Sequence, residues 1–133
     1  MNEARVEKVH ADRLGAHTHL DQAKRFQLDA DAHLSAESRS VLLHNAALSA
    51  ANAILEAAGM RVTSGDGAHL LRLETALEQL HHDTEGLLER LDASRSRRNE
   101  ASYAAMLVAE ASVEEAREAT AELIELVREF LRE

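Results

Sequence analysis

The sequence predicts an all-α fold, a five-helix antiparallel up-and-down bundle, on three observations. The 133 residues contain no proline and only five glycines, so little interrupts a chain rich in Ala, Leu, Glu and Arg, all good helix formers. Apolar residues recur at three- and four-residue spacing over long stretches, the period of one helix face. No stretch reads as a strand, and no internal repeat or low-complexity segment stands out.

The elements follow in order. A first helix is expected from about Ala4 to Ala32, with Val6, Val9, Leu14, Leu20 and Phe26 as apolar anchors and Gly15 as a candidate break. Residues 1–13 then form an N-terminal helical extension of a single domain covering 1–133. Ser35, with Ser38 three residues on, supplies an N-cap for "VLLHNAALSAANAILEAAG", because a serine hydroxyl can accept from a free first-turn N–H. Val41, Leu48, Leu55 and the alanines between them form its packing face, and Gly59 is the natural stop. "MRVTSGDG", residues 60–67, is the clearest loop.

A third helix carries Leu70, Leu73, Leu77 and Leu80. Asp83 caps a fourth, whose stripe of Thr84, Leu87, Leu88 and Leu91 continues through Arg95, Arg98 and Ser102. The last begins near Ser112, where Glu115 completes a capping box. Its face of Ala116, Thr120, Leu123, Ile124, Val127, Phe130 and Leu131 is the strongest amphipathic signal in the chain.

Composition narrows the function classes. A net charge of −9 argues against an indiscriminate nucleic-acid binder, since phosphate contacts want a basic face. Phe26, Tyr103 and Phe130 are the only aromatics, too few for a base-stacking platform. The absence of cysteine excludes disulfides and thiolate metal sites and fits a reducing compartment. "MNEARVEKVHADRLG" is charged throughout and lacks the apolar core of a signal peptide. No apolar run approaches the ~18 residues of a membrane span. The expectation is a cytoplasmic protein with no membrane partner.

One stretch departs from the acidic background. "RSRRNEASY" places Arg95, Arg97 and Arg98 within four residues, just ahead of the only tyrosine, Tyr103. Arg95 and Arg98 prolong the leucine stripe rather than the solvent face. A guanidinium keeps its charge in proteins, so burial demands a charged or hydrogen-bonding partner. Two readings remain. The helix end outruns the core and pairs weakly with Asp92 and Glu100, at ~0–1 kcal/mol; or the arginines line a dimer seam or a phosphate site, where bidentate donors are favoured.

"RNEASY" resembles the signature of the HEPN superfamily (higher eukaryotes and prokaryotes nucleotide-binding), whose motif is Arg, a polar residue, three variable residues and His. Arg98 matches the Arg and Asn99 the polar position, while Tyr103 falls where the His belongs. "HLDQAKRFQLDADAH" and "LLHNAALSAANAILEAAG" resemble the family's first two helices. "SGDGAH" and "SVEEAREATAELIELVREFL" resemble its third-helix start and its last helix. The resemblance covers roughly residues 14–132.

It implies a HEPN-like homodimer with the two motifs facing each other across a two-fold axis. In nuclease members such a composite site cleaves RNA without metal: the His moves protons around the attacking 2′-hydroxyl and the Arg stabilises phosphorane charge. Other members are non-catalytic partners of a small nucleotidyltransferase, and many belong to toxin–antitoxin or phage-defence loci. Carried over, Arg98 is the phosphate-orienting cation and Asn99 its support. Arg95, Arg97 and Ser102 add to the binding surface. Tyr103 takes the general-base position, for which a phenol titrating near ~10 is poorly suited. His69, in a Gly-x-His arrangement with Gly67, is the candidate replacement if it reaches Arg98; a packed or capping role is the simpler one. The implied activity is therefore a weak or lost metal-independent endoribonuclease that needs no cofactor.

The rival reading is a carboxylate/His metal bundle. Glu7-x-x-His10 and Glu78-x-x-His81 match the spacing of di-iron helices. With 17 glutamates and 8 histidines in 133 residues, however, chance supplies about one such pair. His17 and His19 diverge by ~200° on a helix. His17 and His33 lie four residues from Asp21 and Asp29, where surface pairing accounts for them. No metal ligand is assigned.

Overall fold

A computed structural model describes residues 3–32, 35–80, 84, 86–92 and 109–132. The chain is mostly helical, with one small two-stranded sheet. In order come β1 (Val6–Lys8), α1 (Arg13–Asp29), α2 (Ala36–Ala58), β2 (Met60–Val62), α3 (Ala68–Glu78), a helix over 86–92 (α4) and α5 (Ala109–Arg132).

The strands correct the expectation of none, and they replace the helical extension over 1–13. β1 and β2 pair antiparallel with Val6 opposite Val62, Glu7 opposite Arg61 and Lys8 opposite Met60. Intrinsic preference did not select this segment; β1 is extended because β2 offers it a ladder. The three-residue spacing of Val6 and Val9 looks helical in isolation, yet both side chains are exposed. Backbone hydrogen bonds continue the ribbon on both sides: Val9 N–H donates to the Gly59 carbonyl at 2.8 Å and Thr63 N–H to the Arg5 carbonyl at 2.9 Å. The loop expected over 60–67 accordingly begins at Thr63.

α1 starts at Asp12, whose carboxylate accepts from the Gly15 N–H at 2.8 Å. Gly15 therefore lies in the first turn and breaks nothing. The buried face of α1 is Ala16, Leu20 and Ala23, while Leu14 is 81% exposed. Small residues let α2 approach closely, so the helix buries alanine where the larger anchors were expected. Ser35 caps α2 as predicted, its Oγ accepting from Ser38 N–H at 3.1 Å. Gly59 ends α2 in the left-handed conformation, with φ 72°.

α2 is the central helix, packing along α1, α3 and α5. Its fully buried seam is Leu43, Ala46, Ala50 and Ile54; Val41 and Leu48 are half-buried. By length and composition α2 is the one described helix apolar enough to cross a membrane, a feature that counting uninterrupted apolar runs had missed. Half of its most apolar window is buried within the fold. Leu73 and Leu77 from α3, Leu80 just past its C-cap Gln79, and Leu87 and Leu91 from α4 join the same core. α5 buries Ala116, Thr120, Leu123, Ile124, Val127 and Leu131, with Phe130 half-buried, the face its periodicity predicts. It begins at or before Ala109, so Ser112 lies inside the helix instead of capping it.

Polar contacts fix the helix directions. Asp12 N–H donates to the Glu56 carbonyl at 2.9 Å and Arg39 Nε to the Ala30 carbonyl at 3.2 Å, so α1 and α2 run antiparallel. Arg13 donates to the Leu131 carbonyl, and Arg117 Nε lies 2.8 Å from Asp31 Oδ1, so α1 and α5 are antiparallel too. α2 and α5 therefore share a direction, whereas strict up-and-down alternation of five helices would oppose them. Arg90 ties α4 to Glu122 of α5 at 2.6 Å.

Candidate functional site

The residues singled out as a phosphate site divide sharply. Arg95, Arg97, Arg98, Asn99, Ser102 and Tyr103 lie outside the described residues, as do Asp83, Glu100, His33 and His81. His69 is described. Gly67 precedes α3 with φ 76°, and His69 stands exposed in the first turn. Its ring faces that of His44 on α2, with centroids 5.5 Å apart and planes tilted by 40°. The described structure thus brings His69 to a second imidazole that sequence reasoning had not picked out. A separation of 25 residues left no signal for it.

The histidine–carboxylate pairs take other forms. Glu7 is on β1, not on a helix, and joins an arginine pair: Arg61 Nε lies 3.2 Å and Arg5 Nη2 3.3 Å from its carboxylate. The Arg61 hydrogen bond, with the charges of Arg61 and Arg5, holds the Glu7 carboxyl below its usual value of 4.5, against a smaller opposing effect of burial. His17 is exposed and forms no ion pair with Asp21. Among the described residues no group of three His, Asp or Glu is arranged to hold a metal ion.

A cleft of about 420 Å³ opens where the ribbon, the start of α1, the end of α2 and α3 meet. His10, Asp12, His19, Asn52, Glu56, Arg61 and Arg72 give it its polar lining. Each side chain arrives for a local reason. Asp12 is the α1 cap, His19 lies two turns further along, Glu56 ends α2 beside the Gly59 stop, and Arg61 is β1-facing on β2. His19 Nε2 stands 3.5 Å from Glu56 Oε1, while its Nδ1 is buried without a hydrogen-bond partner. With Nε2 as the donor toward Glu56, Nδ1 remains a bare acceptor, at a cost of ~1–3 kcal/mol.

Asp12 and Glu56 both sit at the N-terminus of α1, whose partial positive charge favours carboxylates. A Cβ on Gly15 would stand 2.4 Å from Glu56 Oε2 and 2.6 Å from Asp12 Oδ2. Glycine is what lets the two carboxylates converge there. The Asp-x-x-Gly pattern marks the cap in the sequence, but nothing in it announces Glu56, 44 residues from Asp12.

Comparison with known proteins finds no matching family model, no matching curated protein and no matching solved structure.

Proposed function

We propose that the chain is a HEPN-like five-helix module that dimerises and binds RNA or nucleotide phosphate at a composite site built on Arg98 and Asn99. Its metal-independent endoribonuclease activity is weak or lost. The observation that carries the reading is the sequence spacing Arg98–Asn99–three residues–Tyr103, with Arg95 four residues and Arg98 seven residues after the buried Leu91. Arginines continuing an apolar stripe call for an anionic or dimeric partner. The order of helices in the described part is compatible with this: a capped α1–α2 pair, a short α3 opening on Gly-x-His, and a long amphipathic α5.

Tyr103 favours a second, non-catalytic reading, as partner of a small nucleotidyltransferase. A neutral phenol donates a hydrogen bond to phosphate but is a poor base at neutral pH. A toxin–antitoxin or defence role and a cytoplasmic location belong to the same proposal.

The deciding experiment incubates the purified protein with mixed RNA in the presence of a chelator, beside Arg98→Ala, with sedimentation run in parallel. The nuclease reading expects slow cleavage that Arg98→Ala abolishes. The partner-module reading expects a dimer that binds RNA or nucleotide weakly and cuts nothing. A monomer at tens of micromolar with no Arg98-dependent binding overturns both.

A further inference from the structure

The cleft beside α1 holds two carboxylates, Asp12 and Glu56, that no lysine or arginine pairs with among the described residues. Asp12 Oδ1 is occupied by the Gly15 N–H, and Glu56 Oε1 faces His19. The second oxygens, Asp12 Oδ2 and Glu56 Oε2, have no donor among the described residues. Both lie close to one point beside Gly15, so they stand no more than about 5 Å apart. An ammonium accepts this geometry: two charge-assisted bonds of ~2.8 Å at a tetrahedral angle span ~4.6 Å between oxygens.

Arg72 supplies the opposite charge from α3. It is half-buried and lines the cleft, and it makes no hydrogen bond or ion pair among the described residues. Arg61, the other guanidinium there, is taken up by Glu7. A guanidinium remains charged at any physiological pH, and its best-matched planar partner is a carboxylate. Leu55, Met60 and Val62 complete the lining with aliphatic surface. The volume, about 420 Å³, falls in the range of small-molecule sites.

We infer that this cleft binds a small zwitterion with an aliphatic body, the ammonium held between Asp12 and Glu56 and the carboxylate on Arg72. A simple anion would meet two carboxylates, and a simple cation would leave Arg72 without a side-chain partner. A molecule carrying both charges satisfies both sides. A free aliphatic amino acid and a short aliphatic peptide share this chemistry and differ in the distance between their charges. The inference stands apart from the Arg98 motif.

Calorimetric titration of the full chain with L-leucine and with L-alanyl-L-leucine distinguishes the two lengths. N-acetyl-L-leucine lacks the ammonium, and L-leucinamide lacks the carboxylate. One of the zwitterions is expected to bind, with its own blocked forms (for the dipeptide, N-acetyl-L-alanyl-L-leucine and L-alanyl-L-leucinamide) weaker by at least ~10-fold, as expected for losing a charge-assisted pair. Arg72→Gln should erase the preference for a free carboxylate, and Glu56→Gln the preference for a free ammonium. The comparison of free and blocked ligands on the wild-type chain stands whether or not the variants fold. No binding of either zwitterion at about 10 mM, or blocked forms binding as tightly as their parents, overturns the inference.

Discussion

Gly59→Ala tests the joint on which the ribbon and the cleft depend. Gly59 holds φ 72° at the end of α2, a conformation that costs an L-residue with a Cβ ~1–2 kcal/mol. The added Cβ would also stand 2.7 Å from the Val9 carbonyl oxygen and 3.2 Å from the Ala11 nitrogen. Both are backbone atoms, so neither can swing away as a side-chain end can. Relief requires the segment after β1 to move. That movement weakens the 2.8 Å bond from Val9 N–H to the Gly59 carbonyl, worth ~1 kcal/mol net. Together these predict a loss of about 2–4 kcal/mol. At roughly 3–5 °C per kcal/mol for a chain of this size, Tm should fall by ~6–20 °C.

Gly15→Ala is the matched control. Its new Cβ meets the ends of Glu56 and Asp12, which can rotate, and alanine gains ~1 kcal/mol of helix propensity over glycine. It should remain within about 1 kcal/mol of wild type. Urea denaturation of both variants, with m unchanged, provides the measurement. A Gly59→Ala protein within 0.5 kcal/mol of wild type, on the usual scale of neutral surface changes, would refute the reasoning. So would equal losses at both glycines.

Three further outcomes are expected. Ser35→Ala removes the Oγ that caps α2 and should cost ~1 kcal/mol in the same denaturation assay, with Ser35→Asp retaining most of the stability. Glu7 has a depressed folded pKa, so the stability it contributes is present above its usual 4.5 and is lost as pH falls through the lower folded value. The gap between wild type and Glu7→Gln should therefore be open at neutral pH and close as the pH falls through the lowered folded value; a gap that widens on acidification contradicts the Arg61 pairing. Tyr103→His should raise chelator-resistant RNA cleavage by up to ~10²–10⁴-fold, since an imidazole titrating near ~6.5 can accept and return a proton where a phenol cannot. Adding Arg98→Ala should abolish the gain, and a folded Tyr103→His dimer that leaves RNA uncut would leave only the non-catalytic reading.

How far each part was legible follows from the range of the interaction that decides it. The Ser35 cap, the Gly59 stop, Leu73 and Leu77 of the third helix and the α5 face are set within one or two helical turns, and they stand where local spacing put them. The Arg98 spacing is also a pattern of neighbours, but its residues lie outside those the structure describes. The cleft is not such a pattern: Asp12, Glu56 and Arg72 share no spacing, and they meet only because α1 and α2 run antiparallel with α3 across their end.

By itself, then, the sequence determined a mostly helical chain and both caps of α2, because helix propensity, capping and periodicity act between residues a few positions apart. The tertiary structure alone decided that residues 6–8 are extended, because a strand needs a partner and that partner, Met60–Val62, arrives only after α2 has turned the chain back. It also decided which face of α1 is buried. Against an alanine-lined α2 the closest approach is won by Ala16, Leu20 and Ala23, and the larger Leu14 is left in water.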